Sequence, residues 1–347
     1  MEILKLFFGV REGRYAIQSM APMKLEPADG HSHPFYKLKD GLFHAQGIIN
    51  GLPNVGLFTE VLGQSIVPIV AQVPGEACLR CLGTGFFISC TGLLVTAAHV
   101  VADPIEREYG QAERLIGNKY VMRDIKIGIM IPVNSLFFQT KGFLFRAIDW
   151  SVIIAEDRQS ILGPRKIDLR LTADVAVCQV EQLGPDRHYQ PLSLVQKGMK
   201  GVGLGIGKTA LAIGYGDMRD VDLSPAAPNV LTGDFGFDLY ASHGPILERY
   251  PDNITIRQAS APGPCFTASL KLPGGMSGSP IFDHEGLYVH GVVSRSLQLD
   301  DGLAAHGYGC MLAPLLGLPL EAFEQKSVFD LLETAEHGMP KISAPDI

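Results

Sequence analysis

The chain has too little of several things to belong to the classes they mark. Six cysteines in 347 residues (78, 81, 90, 178, 265 and 310) are few for a secreted disulfide scaffold of this length, so the cytoplasm is the expected compartment. Basic residues are outnumbered, 29 Lys and Arg against 36 Asp and Glu, and no basic stripe stands out. The formal charge of −7 argues against nucleic acid as a partner. No run reaches the roughly 18 apolar residues needed to cross a membrane, so no membrane partner is expected either. Near the start, Arg11, Glu12 and Arg14 follow the apolar patch Leu4–Phe8 too soon for a signal-peptide core and cleavage site. Charged residues make up only 19% and hydrophobic ones 46%, which excludes a disordered chain. Helical periodicity is scarce as well.

What is abundant is punctuation. With 39 glycines and 23 prolines, the chain breaks into short apolar runs. Ser65–Val73, Gly83–Ser89, Gly92–Thr96, Asp174–Val180, Thr209–Tyr215, Pro280–Phe282 and Leu287–Ser294 read as strands, the last two as a hairpin. Strands this short, with turns between them, predict an all-β barrel or sandwich architecture. The exception is Leu320–Ala335, where Phe323, Val328, Leu331 and Leu332 fall on one helical face and Gly338-Met339-Pro340 ends the pattern. The expected organisation is an N-terminal extension (1–60), a first barrel (61–185), a second barrel (186–320) and a C-terminal helix and tail (321–347).

The most informative stretch is Gly275-Met276-Ser277-Gly278-Ser279-Pro280. A serine among small residues is ringed by backbone N–H groups, which suits a nucleophile whose target develops negative charge. Thr96-Ala97-Ala98-His99-Val100 places a histidine directly after a strand, with little bulk around its ring. Asp174-Val175-Ala176-Val177 sets a carboxylate in apolar surroundings, where it needs donors or a charged partner. Taken singly, His99 has the profile of a packed structural histidine and Asp174 that of a strand-end cap.

Together with Gly83-Thr84-Gly85-Phe86, and in that order, these motifs resemble the trypsin-like serine peptidases, in particular their bacterial, disulfide-poor branch. The resemblance covers about residues 65–320. It implies two six-stranded antiparallel β-barrels, with His99 and Asp174 on the first and Ser277 on the second. It also implies a serine endopeptidase acting on a protein or peptide substrate, with the Gly275 and Ser277 N–H groups as oxyanion hole. By the same resemblance, Gly291–Ser296 is the strand beside the specificity pocket, with Ser294 behind Asp174; an ordinary core strand is the alternative. Lys271, at the pocket floor, and Arg295 and Ser296, on its wall, would favour an acidic or polar residue before the cut. The alternative function is a non-catalytic binding module.

The chain also departs from the family. Met276 stands where the secreted members carry an aspartate that pairs with a newly cut N-terminus, so that route of activation is closed. Latency imposed by 1–60 or by a regulatory protein partner is a further expectation. His99 and Asp174 lie 75 residues apart, which predicts an insertion around 104–165 shaping the cleft. No cofactor and no metal are expected: Cys78, Cys81 and Cys90 read as buried thiols, with a three-thiolate site as the alternative, and His31 and His33 as solvated. Gly201–Thr209 has the wrong glycine spacing for a phosphate loop and reads as a turn opening a strand.

Overall fold

The central strands of this protein, Leu93–Thr96 and Thr209–Gly216 among them, bury both faces, and this explains why their apolar runs are continuous rather than alternating. The computed structural model describes residues 3–6, 21–28, 35–38, 48–49, 52–53, 58–106, 111–115, 119–134, 141–157, 167, 169–183, 189–194, 204–222, 225–227, 230–231, 238–252, 254–256, 259–283, 288–297 and 306–333. The first barrel is built from β1 (Ile66–Gln72), β2 (Cys78–Phe87), β3 (Leu93–Thr96), β4 (Lys126–Asn134), β5 (Lys141–Asp157) and β6 (Leu169–Val180). They pair antiparallel in the order β1-β2-β3-β6-β5-β4, and a further β4–β1 ladder closes the ring.

The second barrel repeats the plan. Its strands are β7 (Thr209–Gly216), β8 (Asp238–Tyr250), β9 (Cys265–Ala268), β10 (Pro280–Asp283), β11 (Val289–Leu297) and β12 (His306–Met311). The order β7-β10-β11-β12-β9-β8 closes where β8 returns to β7. Closure leaves no unpaired ladder edge within either ring. The fold is therefore the two six-stranded barrels that the resemblance implied.

Successive residues divide between two cores. Along β3, Leu93 and Val95 join one buried cluster while Leu94 joins another. Along β6, Val175 and Val177 go to the first, Ala176 and Cys178 to the second. The first of these clusters also takes Leu211 and Ile213 from β7 and Val289 and Val292 from β11, so it is the layer shared by the two barrels. The site lies across that layer.

Both ends of the chain differ from the sequence reading. Phe35–Leu38, inside the expected extension, is a strand hydrogen-bonded to β8, with Phe35 buried and stacked on Tyr240 at 4.8 Å. At the other end, the helix expected over Leu320–Ala335 is confined to Val328–Glu333 within the described residues. Its first half is a 3-10 turn, Glu321–Phe323, followed by Glu324 and Gln325 in left-handed conformations (φ 55° and 64°). That reversal pairs Pro319–Leu320 with Lys326–Ser327, and Ser327 caps the helix by accepting the Asp330 N–H at 3.1 Å. Phe323, Val328, Leu331 and Leu332 still pack into the shared layer.

Among the described residues three helices were not expected: α1 (Phe58–Ser65), α2 (Ala98–Glu106) and α3 (Ala313–Leu316). Within 104–170 the described residues supply β4 and β5. The 201–209 turn does open β7, with Gly207 N–H donating to Ile246 O at 2.8 Å; residues 201–203 lie outside the described residues. His31 and His33 also lie outside them.

Candidate active site

The last turn of β3 runs directly into α2, which puts His99 in the first turn of a helix instead of a bare turn. Ala97 and Ala98 are fully buried, and the His99 side chain keeps 17% exposure. Asp174 faces it from β6. The strand begins at Leu169, so Asp174 is not its first residue, and it falls where the β5–β6 register slips between Ile153 and Ile154. Such irregularities re-aim side chains next to functional sites.

The Asp174 side chain is 1% exposed and is committed to three donors. His99 gives its backbone N–H to Oδ1 at 3.0 Å, and its Nδ1 lies 2.9 Å from Oδ2. The Ser294 hydroxyl donates to the same Oδ2. Burial of this carboxylate would push its pKa up, but the His99 charge and these hydrogen bonds outweigh burial and hold it below its ordinary range. For His99, burial opposes the charged ring. Asp174, with a smaller contribution from Asp103, more than offsets burial and the positive charge of Arg295, so the pKa lies above its ordinary value.

Ser294 reaches both ways. While its hydroxyl holds Asp174, its carbonyl accepts the Ser277 hydroxyl at 3.3 Å. One residue thus links the Ser277 hydroxyl to the buried Asp174.

Ser277 sits on a loop held by its own backbone. Gly275 and Gly278 have φ of +94° and +85°, which side-chain-bearing residues rarely adopt. A Cβ on Gly278 would also lie 2.1 Å from both Thr84 O and Thr96 Oγ1. Every carbonyl from 274 to 277 is taken: Gly274 O by Asp217 N–H (2.7 Å), Gly275 O by the Thr84 hydroxyl (2.9 Å), Met276 O by Ser279 N–H (3.0 Å) and Ser277 O by Thr84 N–H (2.8 Å). Among the described residues, the N–H groups of Gly275 and Ser277 have no acceptor. Met276 is fully buried in the second barrel's core cluster, an apolar anchor where secreted members use an ion pair.

The remaining sequence candidates are spread out. Arg295 and Ser296 are exposed, on the end of β11 beyond Ser294. Lys271 gives its N–H to Ser242 Oγ (3.0 Å), and its ammonium lies 6.0 Å from the centre of the Phe35 ring. Burial lowers its pKa. Leu272, next in the chain, is buried, and a Cβ on Gly307 would meet its Cδ1 at 2.4 Å. All six cysteines are free thiols; Cys81 donates to Arg219 O at 2.9 Å, and burial pushes its pKa up to about 12. Among the described residues no cluster of His, Cys, Asp or Glu could hold a metal ion, and no helix is long and apolar enough to cross a membrane.

Sequence reasoning missed the parts played by Thr84, Asp217, Asp103 and Leu272. Only Thr84 had a visible signal, since it lies within the Gly83–Phe86 motif.

The solved structures similar to this chain include the following two. One is the Rv3671c protease from M. tuberculosis in its active form, at 18% identity and a TM-score of 0.40, covering 74% of this chain and 79% of that one. The other is Deg5, at 16% identity and a TM-score of 0.41, covering 74% and 88%. A comparison with curated proteins gave no match. Residues 83–292 match the family described as "Trypsin-like peptidase domain". That span is well over half of the 347 residues and takes in His99, Asp174 and Ser277; on it, the chain belongs to the trypsin-like family of serine peptidases.

Proposed function

We propose that the protein is an endopeptidase working through Ser277, His99 and Asp174. Ser277 attacks the scissile carbonyl as His99 takes its proton, and the N–H groups of Gly275 and Ser277 receive the oxyanion. The tetrahedral intermediate collapses to an acyl-enzyme as His99 returns the proton to the leaving amine. Water then repeats the cycle in reverse and frees the serine. Asp174 fixes the ring with Nδ1–H toward itself, leaving Nε2 as the base, and stabilises the imidazolium. The observation that carries this reading is Ser294, which holds the buried Asp174 with its hydroxyl and the Ser277 hydroxyl with its carbonyl.

The enzyme is competent once folded, because the loop carbonyls are already captured and Met276 is buried. Its six free thiols support a reducing compartment, the cytoplasm. The residue before the cut is small and uncharged: Leu272 fills the space beside Gly307, and the Lys271 ammonium is drawn to Phe35.

A peptide library offered to the wild type and to Ser277→Ala tests the whole reading. Cleavage is expected after small apolar residues, with a loss of about a millionfold in the variant. Cleavage that survives in Ser277→Ala removes the serine mechanism. Cleavage after Asp or Glu would return the pocket to Lys271 and Arg295.

A further inference from the structure

We propose that Thr84, on the first barrel, is the positioning residue that sets the oxyanion loop on the second. This rests on the reading of the Gly275 and Ser277 N–H groups as the oxyanion donors. Two adjacent glycines, Gly274 and Gly275, make that loop conformationally permissive, so something outside it must choose its shape. In a trans peptide the N–H points opposite to the preceding carbonyl. Capturing Gly274 O on Asp217 N–H therefore turns the Gly275 N–H toward the cleft, and capturing Met276 O on Ser279 N–H does the same for Ser277. The peptide between these two donors is the one that Thr84 holds, through Gly275 O.

Thr84 spends every polar atom on this task. Its hydroxyl accepts the Tyr215 N–H at 3.2 Å, which leaves its proton for Gly275 O at 2.9 Å. Its N–H donates to Ser277 O at 2.8 Å, and its carbonyl accepts the Thr96 hydroxyl at 2.7 Å, three residues before His99. The residue is fully buried, so water does not compete for any of these bonds. Thr84 thus ties the strand leading to His99 to the loop carrying Ser277. It supplies from the first barrel the fixation that Met276 cannot supply through an ion pair. A hydroxyl is required, since only a group that accepts and donates at once satisfies both Tyr215 N–H and Gly275 O.

The test compares full-length wild type, Thr84→Val and Thr84→Ser on a cleaved peptide, with a peptide aldehyde as second probe. Ser277 adds to the aldehyde carbon, its proton passing to His99, and the resulting hemiacetal oxygen occupies the same hole. In Thr84→Val, kcat is expected to fall about 100-fold with KM unchanged, and the aldehyde Ki to rise by a similar factor. Thr84→Ser, which keeps the hydroxyl, is expected to retain wild-type kcat and Ki. The proposal is overturned if Thr84→Val keeps wild-type kcat and Ki, or if Thr84→Ser loses as much as Thr84→Val. Should the valine chain fail to fold, Thr84→Ser decides alone: wild-type kcat supports the proposal, and a 100-fold loss at unchanged Tm overturns it. A wild type that neither cleaves peptide nor binds the aldehyde removes the underlying oxyanion reading and this proposal with it. An active wild type beside an unaffected Thr84→Val removes this proposal alone.

Discussion

His99 and Asp174, on the first barrel, are held by side chains; the Ser277 loop, on the second, is held by its carbonyls. Around Asp174 the carboxylate collects the His99 N–H, the His99 ring and the Ser294 hydroxyl. Around Ser277, donors from Asp217, Ser279 and Thr84 collect the four carbonyls 274–277, and no charge is involved. The first half therefore responds to pH and to the identity of its own residues. The second involves no charge, and it depends on Thr84 and Asp217, distant in sequence, as well as on its own Ser279.

Asp174→Asn strains this contrast most. Without the carboxylate, His99 loses its orienting acceptor, and kcat/KM is expected to drop about 10⁴-fold, read by steady-state kinetics. The pH profile reports the same change. In the wild type the ring must be neutral to act as base, and its pKa is held above the ordinary 6.5, so activity rises with pH through a midpoint above 6.5. In the variant, burial acts without the opposing charge and the midpoint moves downward. A variant with an unmoved midpoint would mean that Asp174 does not set the His99 charge.

The sign for stability is the reverse of the sign for activity. A raised His99 pKa contributes stability that is complete below 6.5 and lost as pH rises through the folded value. A depressed Asp174 pKa contributes stability that is present above 3.8 and lost as pH falls through its folded value. The pair therefore stabilises most between those limits, and catalysis begins as the His99 contribution fades.

A smaller effect is expected from Ser294→Ala, which removes one donor to a buried carboxylate and leaves its other two. The loss is about 2 kcal/mol in chemical denaturation. With Asp174 less well held, the His99 midpoint shifts by less than in Asp174→Asn. If Ser294→Ala changed the aldehyde Ki but left the pH midpoint in place, its main service would be to the serine loop, and the division between the halves would blur.

The same contrast explains what was legible in the sequence. His99, Asp174, Ser277 and Ser294 could be picked out because the family resemblance is written as residue identity, and the structure brings His99 and Ser294 onto Asp174. Strands such as Leu93–Thr96 and Leu169–Val180 were legible because they bury both faces, giving unbroken apolar runs such as Val175–Cys178. Lys141–Asp157 and Asp238–Tyr250, which are only partly buried, were not. The capture of Gly275 O by the Thr84 hydroxyl, 191 residues away, and of Gly274 O by the Asp217 N–H was hidden, since bonds to backbone carbonyls from distant residues leave no local pattern. The break in the C-terminal helix was hidden for a related reason. Glu324 and Gln325 are ordinary helix formers, and only the pairing of Pro319–Leu320 with Lys326–Ser327 drives them left-handed. Position along the chain also does not report that the Lys271 ammonium lies 6.0 Å from the ring of Phe35, on the strand Phe35–Leu38.

The central claim is that the serine loop is in working form in the intact chain, without N-terminal trimming. Burst titration of the full-length protein with an activated ester measures this directly. The account predicts a burst of about one acyl group per chain as purified, absent in Ser277→Ala. No burst from the intact chain, with one appearing only after a cut that frees a new amino terminus, would contradict it.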